Sequence, residues 1–93
     1  VKIMDTSADM ALILSIISSF RDKPMPRNLV VFGEVGLSGE IRPVSNGQER
    51  LREAVKHGFT QAIIPSANIP KKPIQGLKVI GVKKISEALK ALF

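Results

Sequence analysis

The stretch Val31-Phe32-Gly33-Glu34-Val35-Gly36-Leu37-Ser38-Gly39-Glu40-Ile41-Arg42-Pro43-Val44 reads as a β-hairpin. Residues 30–35 and 41–44 are rich in β-formers, and Gly36-Leu37-Ser38-Gly39 supplies the turn between them. Gly33, Gly36 and Gly39 lie within seven residues, which predicts positive φ angles or a close backbone approach.

Outward from the hairpin, the pattern alternates strands with helices. Upstream, residues 1–4 read as the end of a strand. Thr6 and Asp9 have the spacing of a capping box, with Asp in place of the usual Glu. A helix is then predicted over 7–20: Met10, Ile13, Leu14, Ile17 and Phe20 recur at helical spacing, and Leu12 and Ile16 widen the apolar face. A helix this apolar is expected to be covered on most sides. Pro24 and Pro26 end it. Downstream, a second helix is predicted over 49–57, with Leu51, Ala54 and Val55 inward and Gly58 as the residue that closes it. Residues 59–65 read as a buried strand, 66–76 as a loop with Pro70, Pro73 and Lys71-Lys72, 77–82 as a last strand, and 85–93 as a closing helix with Ile85, Ala88, Leu89 and Leu92 inward. The order β-α-β-β-α-β-β-α predicts an α/β (α+β) fold with a mixed sheet and one hairpin.

With 93 residues the chain makes one small domain or a piece of one, and its start in a strand-like run is read as the cut end of a longer protein. A hydrophobic content of 44% against 24% charged is globular composition. There is no cysteine, which excludes disulfides and cysteine-ligated zinc, and the single histidine, His57, has no ligand cluster beside it. The longest apolar stretch, residues 10–17, is too short to span a bilayer and no signal peptide is visible, so the expected location is the cytoplasm. Fourteen Lys and Arg against eight Asp and Glu give a net charge of +6 and a pI near 10.1, which favours anionic partners such as nucleic acid.

Several segments, in order and at matching spacing, resemble the Lon-protease-like family. Ser7-Ala8 opens the long apolar helix as the catalytic Ser-Ala pair does in that family. Pro24, Gly33-Glu34, the run from Gly39 to Pro43-Val44, residues 49–58, Ala62-Ile63-Ile64-Pro65, and Val82, Ile85, Glu87 and Leu89 fall in register with it. Thr6-Ser7-Ala8-Asp9, Phe32-Gly33-Glu34-Val35-Gly36-Leu37, Gly47-Gln48-Glu49-Arg50, Ala54-Val55-Lys56-His57-Gly58-Phe59 and Ala67-Asn68-Ile69-Pro70-Lys71-Lys72 look like the form of this domain in the RadA (Sms) family of bacterial DNA-repair proteins. The resemblance implies that residues 1–93 are the C-terminal part of a Lon-like domain.

Lon peptidases use a Ser-Lys dyad, in which lysine is the base. By the resemblance the serine position is Ser7 and the lysine position is Gln48, a neutral amide that is no usable base. Asp9 stands where the family has glycine, and a carboxylate beside the nucleophile disfavours an oxyanion. Lys56, eight residues beyond Gln48, is about 12 Å further along the helix and is no substitute. Arg50, Arg52, Lys56 and His57 cluster on the second helix and Arg42 extends them, so these five are the candidate DNA contacts. Glu49 and Glu53 interrupt that field and are available to neutralise it. Lys71-Lys72 and Lys83-Lys84 read as solubility features. With no aromatic platform, contact would be phosphate-directed and non-specific.

What the resemblance implies further is a hexameric, ATP-driven motor promoting branch migration, with a recombinase filament as partner. ATP, Mg and Zn would be bound in parts outside this chain, no cofactor would bind within it, and no membrane is involved. Three readings stay open: a ring platform with DNA contact, a purely structural oligomerisation module, and a Ser-Lys peptidase.

Overall fold

A computed structural model describes residues 6–93. The strand expected over residues 1–4 lies outside the described residues. The element order is a 3₁₀ turn (Thr6–Ala8), α1 (Asp9–Arg21), β1 (Leu29–Val31), β2 (Glu34–Val35), β3 (Ile41–Arg42), α2 (Gly47–Lys56), β4 (Gln61–Pro65), a second 3₁₀ turn (Ser66–Asn68), β5 (Lys78–Val82) and α3 (Ile85–Leu92).

The centre is a parallel sheet in the order β1-β4-β5, with Val30 opposite Ala62 and Ile63 opposite Ile80. Its middle strand is the near-continuous apolar run Ala62-Ile63-Ile64, the pattern of a strand covered on both faces. Alternate side chains divide between the two covers. Ile63 packs with Met10, Leu14, Ile41, Val82 and Ala88, from α1, the hairpin, β5 and α3. Ala62 and Ile64 pack with Phe32 and Leu51, the latter from α2. Helices on both faces of a parallel sheet, plus an antiparallel hairpin, are the α/β Lon-like arrangement expected from the sequence.

The hairpin departs from that expectation in one respect. Residues 30–35 are not one strand: β1 joins the parallel sheet, the chain turns at Phe32-Gly33, and only β2 pairs with β3, Glu34 opposite Arg42 and Val35 opposite Ile41. Gly33 makes the break, because its N–H donates to the Ser7 carbonyl at 2.8 Å and its carbonyl accepts from the Met10 N–H at 3.0 Å. The start of α1 therefore takes the hydrogen bonds that a continuous ladder would have used. The turn over 36–39 is as expected, with the Gly39 N–H donating to Gly36 at 3.0 Å. The hairpin docks against the β5–α3 junction through the Ile41 N–H to Lys83 (2.8 Å) and the Ile85 N–H to Gly39 (2.9 Å).

The capping box expected at Thr6 and Asp9 does not form. The N-cap position is Ala8, without a side-chain cap, and the Asp9 carboxylate accepts from the Val35 N–H at 3.3 Å instead. The hairpin amide thus replaces the N-terminal amide as its partner. Nor is α1 covered on most sides. Met10, Leu14 and Ser18 are buried, but Leu12, Ile16 and Phe20 are 61%, 67% and 92% exposed. They sit on the side of α1 opposite the sheet, and no other described element reaches it.

Gly58 closes α2 as expected. Its φ is +90°, its N–H donates to Val55 at 3.1 Å, and the Phe59 N–H donates to Ala54 at 3.0 Å. That is the double bond pattern of a Schellman end.

Candidate functional site

Ser7 is buried at the foot of α1, held by the Gly33 amide on its carbonyl. Its hydroxyl faces a cavity of about 270 Å³ lined by Thr6, Ser7, Glu34, Pro43, Val44, Ser45 and Arg50. Arg50, on the first turn of α2, points into this cavity. One guanidinium N–H donates to Ser7 Oγ at 3.2 Å, Nε donates to the Ser45 carbonyl at 3.0 Å, and the guanidinium carbon lies 5.8 Å from the centre of the Phe32 ring. Arg50 therefore ties α2 to the 3₁₀ turn, the end of the hairpin and Phe32, the residue after β1, at once.

Gln48 is elsewhere. It is exposed on the outer side of α2 and lines a separate groove with Ala67, Asn68, Ile69, Pro70, Lys71 and Lys72. Two residues along a helix are about 200° apart, so Gln48 and Arg50 cannot face one site. The structure thus gives Ser7 an arginine neighbour rather than the amide expected from the sequence. The signal was present: Arg50 is four residues from Ala54, which is on the buried side.

The chemistry of the pair follows from its donors. A guanidinium has five N–H donors and no acceptor, so it cannot take a proton from the serine hydroxyl. It can hold that hydroxyl in place, and it presents positive charge to the cavity.

The five candidate DNA contacts do not form one open stripe. Arg42 lies 2.8 Å from Glu40 and 3.6 Å from Glu34. The Arg42 hydrogen bond holds the Glu40 carboxyl below the usual carboxylate value, and the same bond raises Arg42. Lys56 is 4.0 Å and His57 3.7 Å from Glu53. Arg50 is turned inward. Arg52 alone of the five is exposed with no ion pair among the described residues. Near the other end of the sheet, the Lys83 and Lys84 amides donate to Glu87, and the Lys83 bond is the larger cause holding that carboxyl below its usual value.

The groove beside Gln48 is fixed by Asn68. Its side-chain oxygen accepts from the Val44 N–H at 2.9 Å and its amide nitrogen donates to the Val44 carbonyl at 3.0 Å. The loop over 66–77 is thereby fastened to the end of the hairpin as a strand partner would be. Among the described residues there is no group of three or more His, Asp or Glu that could hold a metal, and no helix is long and apolar enough to cross a membrane.

Residues 4–93 match the family of the Lon protease (S16) C-terminal proteolytic domain. The chain is 64% identical over 89 residues to the DNA repair protein RadA of Salmonella typhimurium, a match that covers 96% of this chain and 19% of the relative. It is 63% identical to RadA of Escherichia coli, over 96% of the chain and 19% of the relative. It is 47% identical to RadA of Bacillus subtilis, over 97% and 20%. The chain thus spans about a fifth of the length of these relatives.

Proposed function

The chain belongs to the family of the Lon protease C-terminal proteolytic domain, and from that premise we propose that it is a Lon-like domain that serves DNA repair without cutting peptides. The observation that carries this reading is Arg50 at 3.2 Å from Ser7, where a peptidase needs a base. Ser7 keeps the place of a nucleophile, but Arg50 beside it donates and cannot accept.

In this reading the domain is a platform within a RadA-type protein. It supports a hexameric, ATP-driven ring that promotes branch migration and cooperates with a recombinase filament, and it offers phosphate-directed, non-specific contact to DNA. ATP hydrolysis, with Mg and Zn, belongs to the parts of such a protein outside this chain. The net charge of +6 supports DNA contact. A second reading, a purely structural oligomerisation module, is favoured by the glutamate partners of Arg42, Lys56 and His57.

The test of peptidase loss compares the wild type with Ser7→Ala on an unfolded protein substrate and with a fluorophosphonate probe. Both proteins should show the same background hydrolysis, with no labelling at Ser7. Turnover that disappears with Ser7 would overturn the reading.

A further inference from the structure

We infer that the groove between the start of α2 and the loop over 67–72 holds the sugar-phosphate backbone of nucleic acid, with Lys71, Lys72, Gln48 and Arg52 as its contacts. The inference rests on the DNA-contact reading above and centres that contact on the loop over 67–72 and the Gln48–Arg52 side of α2, away from Arg42, Arg50 and His57; Lys56 continues the same side of α2 but stands against Glu53.

Three observations select the groove. The first is charge. Lys71, Lys72 and Arg52 are exposed and make no ion pair among the described residues, whereas Arg42, Lys56 and His57 each stand against glutamate. No acidic side chain lines the groove, in contrast to the Ser7 cavity, where Glu34 is a wall. The second is continuity. Gln48 is in the groove, and Arg52 is four residues on along the same exposed side of α2, about 6 Å further at 1.5 Å per residue. The cations therefore form a track rather than a point. The third is preorganisation. Asn68 fixes the loop to Val44 through two hydrogen bonds, and Pro70 and Pro73 flank the lysine pair and restrict its backbone. Little order remains to be created on binding.

The chemistry of the track fits a phosphodiester chain. Lysine ammonium groups bind phosphate as point charges, and the Gln48 amide can donate to a phosphate or sugar oxygen. The groove, about 400 Å³ in volume, also contains Ile69, 50% exposed, and Pro70, which offer apolar contact to a sugar. No aromatic ring lines it, so bases are not stacked and sequence is not read.

The test is fluorescence anisotropy of a labelled duplex of arbitrary sequence, titrated with the chain at several salt concentrations. Lys71→Gln/Lys72→Gln should weaken binding at least about tenfold at low salt and reduce the salt slope by about 1.8, at 0.9 per phosphate contact. Lys83→Gln/Lys84→Gln removes the same charge from the surface beside Glu87 and should change the slope by less than about 0.5. Arg52→Gln, a single change on an exposed helical face, should reduce the slope by about 0.9 and supplies the answer if the double variant unfolds. Wild-type binding that Lys71→Gln/Lys72→Gln leaves unchanged overturns the groove and leaves DNA contact standing. Equal losses from the two lysine pairs also overturn it, since net charge alone then suffices. A wild type that binds no duplex even at low salt overturns the groove together with the reading it rests on. A poly-glutamate peptide that binds as tightly as the duplex overturns nucleic acid as the occupant.

Discussion

Gly33→Ala is the substitution by which the frame around Ser7 can be probed most sharply. Two costs add at this position. The backbone φ is +151°, a region L side chains rarely adopt. A Cβ there would also stand 3.0 Å from the Met10 methyl, 3.2 Å from Ile41 and 3.3 Å from Pro65. Strain of this kind costs about 1–3 kcal/mol, and overpacking a filled core about 1–3 kcal/mol. Together they give about 2–6 kcal/mol, against roughly 5–14 kcal/mol expected for a domain of 93 residues. Gly58→Ala isolates the first cost, because its φ is +90° and an added Cβ meets nothing within 4 Å. Strain alone should cost about 1–2 kcal/mol there. Urea unfolding followed by circular dichroism suits a chain without Trp or Tyr. At an m-value of about 1 kcal/mol/M, Gly33→Ala should lower the midpoint by about 2 M or more and Gly58→Ala by about 1–2 M. If Gly33→Ala is no more destabilising than Gly58→Ala, the tight contact of Gly33 with α1, β3 and β4 does not constrain the fold.

Asn68→Ala leaves the Val44 N–H and carbonyl without their partner and should cost about 1–3 kcal/mol in the same urea assay. Asn68→Asp keeps an acceptor for the Val44 N–H but sets a carboxylate oxygen against the Val44 carbonyl, so it should not restore the loss. Arg50→Met keeps the aliphatic packing near Phe32 but removes the hydrogen bonds to Ser7 and Ser45, and should cost about 1–3 kcal/mol without any gain in peptide hydrolysis. Glu40 and Glu87 titrate below the usual carboxylate value of 4.5 in the folded chain. A lowered folded pKa adds stability above the unfolded value and loses it as pH falls through the folded one. The melting temperature should therefore drop below pH 4.5, and the difference between wild type and Glu87→Gln should shrink towards zero in acid.

The strongest sequence signals were those in which local and tertiary demands agree. The run Ala62-Ile63-Ile64 predicts a strand covered on both faces, and it is the middle strand. Gly58 follows an amphipathic segment and ends it through a positive φ that glycine adopts freely. The departures occur where a distant segment competes for a local group. The β-rich run 30–35 carries a sign of its break in Gly33 but not the cause, which is that the Ser7 carbonyl and the Met10 N–H take both backbone groups of Gly33. The Thr6–Asp9 capping box fails because the hairpin amide of Val35 takes the Asp9 carboxylate. The site divides in the same way. Ser7 was legible from Ser7-Ala8 ahead of an apolar helix. Its partner depends on the phase of α2, which begins at Gly47 and turns Arg50 inward and Gln48 outward. The lysine pair 71–72 looks like surface decoration in sequence, and only the fastening of its loop by Asn68 brings it beside α2.

The most direct test of the account is the affinity of the wild-type chain for duplex DNA as a function of salt. The logarithm of the affinity should fall linearly with the logarithm of salt concentration, with a slope of about −2.7 for contacts by Lys71, Lys72 and Arg52 at 0.9 each. Absence of binding at low salt would contradict it and leave the domain a structural module.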